Sequence, residues 1–361
     1  MTDEKYMALA LTNAKRGVGK VNPNPLVGAV IVKDGKIIGT GWHEHFGGPH
    51  AERNALSSCT EDPGGATLYV TLEPCCHWGK TPPCTDAILA AGIRRVVIGS
   101  NDPNPLVAGG GVKALREHGI EVTQGVLKAE CDELNEVFFH YIQTKTPFVI
   151  LKYAMTADGK TATFTGTSRW ITGETARQRV QQDRNRYAAV MVGVGTVLAD
   201  DPLLTCRLPD GRNPVRVVCD THLRTPLTSQ IVQTATDVPT LLAACETDEA
   251  RVLPYRSAGC EVLTLPEQNG HVDLKTLMAA LGEKGIDSVL LEGGGELGWS
   301  ALAAGMINRV QVYIAPKLFG GAGAKTPVMG AGVADPSEAF RLSPPRVTVL
   351  GDDLLLESEV L

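Results

Sequence analysis

The chain has 361 residues, of which 43% are hydrophobic, and a formal net charge of -6. This length favours two domains with sizeable cores, and the composition excludes a disordered chain. The acidic balance disfavours nonspecific nucleic-acid binding, so we expect no nucleic-acid partner.

Cysteine usage and the first residues of the chain indicate a reducing compartment. The nine cysteines are odd in number and mostly scattered, which argues against a secreted disulfide framework. The N-terminus is polar, and no apolar run approaches the roughly 20 residues needed to cross a bilayer. We therefore expect no signal peptide, no membrane association and a cytoplasmic location.

The first half of the chain alternates helix and strand patterns. Apolar residues recur at helical spacing over 4–16, and a Pro/Asn turn over 21–28 leads into a short apolar strand. Asp34-Gly35 indicates a hairpin between that strand and the next. The patterns predict strands at 28–32, 36–39, 66–72 and 95–98, and helices at 52–57 and 85–91. Such alternation predicts an α/β layered fold with partly parallel strands.

A second series of elements follows a helical stretch at 128–141. Thr144-Lys145-Thr146-Pro147 suits a junction, so we predict one domain over 1–145 and another over 146–361. Apolar runs bounded by turns predict the strands of this second α/β domain at 148–153, 188–194, 215–219, 288–291 and 310–314.

One histidine and two cysteines in the first half have the character of zinc ligands. His50 follows Pro49 at a predicted helix start, Cys75 follows a strand and a proline, and Cys84 opens the next helix. Positive partial charge at a helix N-terminus favours thiolate over thiol. One imidazole and two thiolates leave a fourth zinc position open for water, as catalytic sites require.

Glu52 lies two residues after His50 and can carry the protons of a hydrolysis. Zinc lowers the pKa of a bound water toward about 7. Glu52 can accept that proton as a ring carbon is attacked and return one to the departing amine, without binding the metal itself. The pattern predicts hydrolytic deamination of a nucleobase-like ring. A structural zinc module, with Cys76 or His77 as fourth ligand, is the alternative.

Two segments resemble a known family: Pro49-His50-Ala51-Glu52, and residues 71–84 (TLEPCCHWGKTPPC). They resemble the deaminase half of the bacterial bifunctional riboflavin-biosynthesis deaminase/reductases. Cytidine and tRNA-adenosine deaminases place two residues between their cysteines, whereas this chain places eight between Cys75 and Cys84. The longer insert is itself typical of the riboflavin family.

The resemblance implies a cytidine-deaminase-like α/β/α zinc domain with His50, Cys75 and Cys84 as ligands. It further implies that Asn24, His43, His77 and Lys80 line the deaminase substrate pocket. A solvated surface role is equally open for His43 and Lys80 when each is taken alone.

The second half has no comparable metal pattern but contains glycine-rich turns. Gly293, Gly295 and Gly298 match G-x-G-x-x-G after a predicted strand, with a helix beginning near Trp299. A Rossmann unit would need an acidic residue about 20 positions later at the end of the next strand. Ala315-Pro316-Lys317 stands there instead, so we predict a phosphate-cradling loop outside a Rossmann domain. A tight turn without a ligand is the alternative.

Three further segments resemble the reductase half of the same family: 152–160 (KYAMTADGK), 168–172 (SRWIT) and 195–207 (GTVLADDPLLTCR). Together with Glu292-Gly293-Gly294, they extend the likeness over nearly the whole chain. The resemblance implies a dihydrofolate-reductase-like α/β domain that binds NADPH. The implied NADPH contacts are Ala154, Trp170, Thr196, Asp200, Thr221, Gly294, Gly295, Glu296, Leu297, Gly298, Trp299 and Ser300. The implied substrate contacts are Ser168, Arg184, Leu204, Arg207 and Glu292.

The resemblance implies two successive reactions on phosphoribosylaminopyrimidines. The first is zinc-dependent hydrolytic deamination of 2,5-diamino-6-(5-phosphoribosylamino)pyrimidin-4-one. The second is NADPH-dependent reduction of 5-amino-6-(5-phosphoribosylamino)uracil to the ribitylamino product. Lys152 and Asp200 are candidates to move protons or stabilise an imine, and a buried Lys152–Asp200 ion pair without a chemical role is the alternative. Reductases of this kind are often dimeric, so we expect a homo-oligomer, either a dimer or a tetramer.

A nucleic-acid base deaminase fused to a binding module is the rival function. It requires a basic, aromatic-rich groove, whereas aromatic residues make up 5% of this chain and the net charge is negative. The sequence therefore favours a small-molecule substrate.

Overall fold

The computed structural model describes residues 1–78 and 82–361. These residues form two compact units, Met1–Lys145 and Thr146–Leu361. Each unit has its own sheet and its own hydrophobic core.

The first unit is a five-stranded sheet with helices on both faces. Its strands stand in the order β2-β1-β3-β4-β5, antiparallel at β2-β1-β3 and parallel at β3-β4-β5. Its elements are α1 (Asp3–Ala14), β1 (Gly28–Lys33), β2 (Lys36–Trp42), α2 (Ala51–Ser57), β3 (Thr67–Leu72), α3 (Cys84–Ala90), β4 (Arg95–Ser100), α4 (Gly110–Glu117), β5 (Glu121–Gln124) and α5 (Lys128–Thr144).

Alternation along the strands separates two cores in this unit. Ile31 and Leu68 face α2, α3 and α4, whereas their neighbours Val30 and Tyr69 face α1 and α5. Successive strand side chains point to opposite faces, so apolar strands buried on both faces give three layers, α/β/α. Helices α2 and α3 pack on one face of the sheet, and both begin close to the residues that follow β3.

The second unit contains a nine-stranded sheet in the order β10-β9-β8-β7-β13-β6-β14-β16-β15. All neighbours are parallel except at β14-β16 and β16-β15. The first elements are β6 (Phe148–Thr156), α6 (Glu174–Arg186), β7 (Ala189–Gly193), α7 (Val194–Asp200), β8 (Val215–Cys219), α8 (Gln230–Gln233), β9 (Thr240–Ala244), α9 (Glu249–Ser257) and β10 (Glu261–Thr264). The later elements are β11 (Glu267–Gln268), β12 (His271–Val272), α10 (Leu274–Glu283), β13 (Ser288–Leu291), α11 (Gly295–Ala303), β14 (Arg309–Ala315), β15 (Arg346–Leu350) and β16 (Asp353–Glu359).

Strand order, rather than chain order, positions the second site. β13 lies between β7 and β6, and parallel pairing puts the carboxyl ends of these three strands at one edge of the sheet. Residues that follow β6, β7 and β13 therefore meet although more than 130 positions separate Thr156 from Leu291 in the chain. Ligands of open α/β sheets commonly bind at such an edge.

The strands predicted from apolar runs are all present, and one predicted helix start is wrong. Helix α11 begins at Gly295 rather than near Trp299. Gly294 adopts a φ of 72°, which glycine tolerates, so the turn after β13 ends there and the helix begins at the next residue. The acidic Glu296 suits the first turn of a helix. Among the described residues, no helix combines the length and the apolar character needed to cross a membrane.

Candidate active sites

His50, Cys75 and Cys84 converge at the starts of two helices. His50 directly precedes α2, Cys84 is the first residue of α3, and Cys75 follows β3. The His50 Nδ1 atom lies 3.5 Å from Cys75 Sγ and 3.3 Å from Cys84 Sγ. Zinc bonds of about 2.0 Å to nitrogen and 2.3 Å to sulfur at a tetrahedral angle require separations of roughly 3.5 Å. The residues present therefore fit a zinc ion.

The thiol chemistry of the cluster also suits a cation. The Cys84 backbone N–H donates to Cys75 Sγ at 3.4 Å. Hydrogen bonds from Cys84 and His50 lower the pKa of Cys75 to about 4, against the opposing effect of burial. Cys75 is therefore prepared as a thiolate, the form that binds zinc.

Three ligands, not four, form this cluster. Within residues 1–78 and 82–361, the group of ligand atoms within 4.8 Å of one another is His50, Cys75 and Cys84. Cys76, weighed as a competing ligand, has its Sγ against Gly110, where an added methyl group would come within 2.8 Å of it. The open fourth position is the arrangement of a catalytic zinc site rather than a structural one.

Glu52 lies in the first turn of α2, beside the ligands, and is 3% exposed. Burial raises the pKa of this carboxyl group above its usual range. A buried glutamate with a raised pKa can both accept and return a proton, which hydrolysis with loss of an amine requires.

Asn24 and His43 form a chain of contacts that ends at the metal ligand. His43 Nδ1 donates to the Pro49 carbonyl at 3.0 Å, so its Nε2 accepts from the Asn24 side-chain amide at 3.1 Å. The His43 ring lies edge-on to the His50 ring, with 5.6 Å between centroids. Burial lowers the pKa of His43, which keeps the imidazole neutral.

Of the two remaining residues predicted to line the deaminase pocket, the structure describes His77 but not Lys80. The buried His77 Nδ1 has no hydrogen-bond partner among the described residues. Lys80 lies outside the residues that the structure describes. Asp102 is 8% exposed, and burial raises its pKa to about 6, with the charge of His77 among the effects that oppose this rise.

The second unit holds an ionic cluster of Lys152, Arg184 and Glu292. Arg184 donates from Nε and Nη2 to the two Glu292 carboxylate oxygens at 2.6 and 3.0 Å, and from Nη1 to the Thr205 carbonyl at 3.0 Å. Lys152 Nζ lies 3.8 Å from Glu292 Oε2. These three side chains come from β6, α6 and the residue after β13.

Lys152 pairs with Glu292 rather than with Asp200, the partner considered from the sequence. Asp200 instead accepts from the Ser168 hydroxyl at 3.4 Å. Burial lowers the pKa of Lys152 more than Glu292 raises it. Burial acts to raise the pKa of Glu292, but the charges of Arg184 and Lys152 outweigh it and the net shift is downward. Glu292 is thus a carboxylate, and Lys152 an amine that can release a proton more readily than an exposed lysine.

The residues predicted to contact NADPH lie along the carboxyl edge of the second sheet. Gly294 and Gly295 follow β13, Thr196 lies in α7 after β7, Thr221 follows β8 and Ala154 lies on β6. An added methyl group at Gly293 would come within 2.8 Å of Thr196 Oγ1, so the backbone here must pass close to that side chain. The first N–H groups of a helix have no partner within the helix and can donate to phosphate oxygens, so the start of α11 at Gly295 fits the pyrophosphate of a dinucleotide. Of the other predicted contacts, Glu296, Leu297, Gly298, Trp299 and Ser300 all lie within α11.

The predicted substrate contacts Leu204 and Arg207 lie in the loop after α7. Leu204 is buried with a φ of 52°, a left-handed backbone conformation that is uncommon for residues other than glycine. The backbone N–H of Arg207 donates to Gln181 at 2.9 Å, and its side chain is exposed. Trp170, predicted to contact the cofactor, is 59% exposed.

Sequence analysis missed a polar chain behind Lys152. The Tyr313 ring centroid lies 5.5 Å from Lys152 Nζ, and the Tyr313 hydroxyl donates to Asp183 at 3.2 Å. Burial raises the pKa of Asp183 to about 6 although Arg179 lies 3.2 Å away. Helix α6 is too polar for an apolar periodicity to mark which of its side chains face the sheet, so no sequence signal identified Asp183.

Two family descriptions match this chain. Residues 1–100 match "Cytidine and deoxycytidylate deaminase zinc-binding region", and residues 147–356 match "RibD C-terminal domain". Both fold classes expected from the sequence, the cytidine-deaminase-like α/β/α domain and the dihydrofolate-reductase-like α/β domain, are confirmed.

Whole-chain relatives are also found. A "Riboflavin biosynthesis protein RibD" of Actinobacillus pleuropneumoniae is 56% identical over 361 residues, covering 100% of this chain and 96% of that protein. The Escherichia coli protein of the same name is 44% identical and covers 89% of each chain. A solved diaminohydroxyphosphoribosylaminopyrimidine deaminase/5-amino-6-(5-phosphoribosylamino)uracil reductase from Thermotoga maritima is 42% identical, covers 99% of both chains and gives a TM-score of 0.88.

Proposed function

The chain belongs to the RibD family of bifunctional riboflavin-biosynthesis deaminase/reductases, and from this premise we propose how its residues divide the two reactions. Residues 1–145 carry the zinc-dependent deamination of 2,5-diamino-6-(5-phosphoribosylamino)pyrimidin-4-one. Residues 146–361 carry the NADPH-dependent reduction of 5-amino-6-(5-phosphoribosylamino)uracil. The observation that carries the first assignment is the three-ligand cluster with Glu52 buried beside it.

In the deaminase unit, bound zinc supplies an acidified water as nucleophile. Glu52 takes a proton from the attacking water and delivers one to the departing ammonia. Asn24 hydrogen-bonds the pyrimidine edge, and His43 orients the Asn24 amide through the contact at 3.1 Å. His77 contacts the substrate through ring atoms other than the buried Nδ1, and Lys80 meets the phosphate.

In the reductase unit, bound NADPH supplies the hydride. The carbon that accepts it is the first carbon of the opened ribosylamine, as an imine. Lys152 gives the nitrogen its proton, which its buried position next to Glu292 supports. Arg184 holds Glu292 through two hydrogen bonds and positions Lys152 indirectly. Ser168, Leu204, Arg207 and Glu292 line the substrate site, and Asp200 orients Ser168.

A split assay tests this division. Glu52→Gln keeps the shape of the side chain but cannot act as a base, so deamination should fall about 10²–10⁴-fold. Reduction of the separately supplied deaminated intermediate should stay within about twofold, since nothing in the second unit has changed. Loss of both activities, or of neither, would contradict the assignment.

We also propose that the protein works in the cytoplasm as a homo-oligomer. The edge strand β15 supports an assembly, because Val347 and Val349 are 55% and 69% exposed on it. Exposed apolar edge strands are usually covered. Sedimentation velocity of wild type and Val349→Lys tests this: a wild-type monomer would contradict it, and dissociation by the lysine would place the interface at β15.

A further inference from the structure

Lys317, two residues after the end of β14, connects that strand to the segment that carries Trp170. Its Nζ donates to the carbonyls of Trp170 at 3.1 Å and Ile171 at 2.6 Å. Its own carbonyl accepts from the Ala157 N–H at 2.9 Å. Three separate stretches of backbone therefore meet at one lysine.

Asp158 makes a second tie, two residues after β6 ends. Its carboxylate accepts from the backbone N–H groups of Phe319 at 3.1 Å and Gly320 at 2.7 Å, and from the Thr156 hydroxyl at 2.5 Å. The Thr156 and Gly320 hydrogen bonds lower the pKa of Asp158 to about 2, so the carboxylate keeps its charge at any working pH.

The same stretch of chain then reaches the glycine turn before α11. The Met329 N–H donates to the Gly295 carbonyl at 3.1 Å. An added methyl group at Gly295 would come within 2.5 Å of the Met329 side chain and 2.9 Å of the Thr326 carbonyl. Between these ends, the Thr161 N–H donates to the Lys325 carbonyl at 3.0 Å.

We propose that residues 317–329 form a strap that positions both NADPH-contacting elements of the reductase unit, with Lys317 and Asp158 as the residues that fasten it. One end of the strap fixes Trp170, and the other fixes Gly295. This inference rests on the proposed cofactor contacts of Trp170 and the turn at Gly294–Ser300. Lys317 and Asp158 are positioning residues, since they act through the backbone of other residues.

The placement of Trp170 explains why a tether is needed. The indole is 59% exposed, so packing alone does not hold it. Arg177 lies 4.8 Å from the ring centroid, and Lys317 holds the carbonyls on the backbone side. Hydrogen bonds from an ammonium group are stronger than neutral ones, so one lysine can help to fix the backbone at Trp170 and Ile171.

The test compares Lys317→Met with Lys325→Met in the full-length protein. Lys325 lies in the same strap and is exposed like Lys317, but among the described residues its ammonium group donates no hydrogen bond, so its replacement is a matched control. Loss of the two charge-assisted hydrogen bonds should raise the Kd for NADPH about tenfold in Lys317→Met, measured by fluorescence titration. The kcat at saturating NADPH should change less than about threefold, because the reacting groups are intact. Lys325→Met should bind as wild type, and Lys317→Arg should restore most of the affinity. The urea unfolding transition of the reductase unit, compared with that of wild type, reports whether each variant is correctly folded.

Two further variants separate this inference from the proposed function. Trp170→Ala tests the contact between Trp170 and the cofactor. If this variant binds NADPH as wild type, that contact is refuted, and with it the proposed role of the strap in positioning Trp170. Asp158→Asn should weaken NADPH binding as Lys317→Met does, and it decides the matter if Lys317→Met fails to fold. If Trp170→Ala weakens NADPH binding but Asp158→Asn binds NADPH as wild type, the strap is overturned. Any effect of Lys317→Met would then come from a direct contact between Lys317 and the cofactor, and without such an effect Lys317 plays no part in binding.

Discussion

The two sites of this chain are built in opposite ways. The zinc cluster draws its three ligands from positions 50–84, at the starts of neighbouring helices and the end of one strand. The ionic cluster of the reductase draws Lys152, Arg184 and Glu292 from three elements that only the strand order brings together. A site built from neighbouring motifs can be recognised from sequence patterns. Where strand order brings the residues together, spacing along the chain does not show which of them meet. The geometry of the zinc site therefore depends mainly on its three ligands, and the geometry of the ionic cluster depends on the sheet that surrounds it.

Removing the metal separates the two regions most strongly. Cys84→Ala should lower deamination at least about 10³-fold, because the water nucleophile loses the ion that brings its pKa near 7. Reduction should be unchanged within about twofold. Metal content by atomic absorption and separate assays of the two reactions check this. A parallel loss of reduction would show that the units are not independent.

Removing the lysine from the second region should have the next largest effect. Lys152→Met should lower the rate of reduction about 10²–10³-fold while deamination continues. The Arg184–Glu292 pair stays intact, so the variant should fold. Single-turnover oxidation of NADPH measures the step, with the exposed Lys275→Met as control. Wild-type turnover would transfer the proton-donating role to Asp200.

A residue behind the zinc ligands should have a smaller effect on metal affinity. Arg53 Nη2 donates to the carbonyls of Pro82 at 3.0 Å and Pro83 at 3.1 Å, directly before Cys84. Arg53→Ala should weaken zinc binding about tenfold, as outer contacts of metal ligands commonly do. Competition with a chelator measures this, with the exposed Arg94→Ala as control. Equal zinc affinity in the two variants would mean that the prolines alone hold Cys84.

The smallest predicted effect is a pH dependence of stability in the reductase unit. The pKa of Asp183 is raised from 3.8 to about 6, so its contribution is fully present below about pH 4 and is lost as pH rises through 6. Asp183→Asn has no such titration. The free energy of unfolding of wild type relative to the variant should therefore fall by about 1 kcal/mol between pH 5 and pH 7. Urea unfolding followed in this unit measures it. A constant difference would show that Arg179 keeps the carboxylate charged throughout.

The extent to which sequence predicted the sites follows from this contrast. The convergence of His50, Cys75 and Cys84 was predictable because each follows a proline, two of them at helix starts and one after a strand. The partner of Lys152 was not, since β13 enters the sheet between β7 and β6 and no local pattern encodes that order. Lys317 was visible only as a residue that broke a Rossmann pattern, and its role depends on contacts with Trp170, which lies far away in the chain.

Most of the strands that were predicted are apolar, but apolar character was not sufficient, because β9 (TLLAA) is buried throughout and was not predicted. The buried strands β1, β3, β4 and β13 were found from continuous apolar runs. Strand β5 (EVTQ) is polar and lies at a sheet edge, and β15 is exposed over most of its length, so neither gives a burial signal. Helix α6 is held by its charged side chains and by Ala176 and Val180, which is too little apolar surface for a clear periodicity.

The imidazole of His43 has one more consequence. Its ring is hydrogen-bonded to the Asn24 amide on one side and to the Pro49 carbonyl on the other, and Pro49 directly precedes the metal ligand His50. His43 therefore connects the substrate pocket to the metal site. If filling of the ring pocket strengthens zinc binding through this connection, zinc must strengthen nucleotide binding by the same factor. A pyrimidine nucleotide that fills the pocket should slow the escape of zinc, and the loaded protein should hold that nucleotide more tightly than the stripped one.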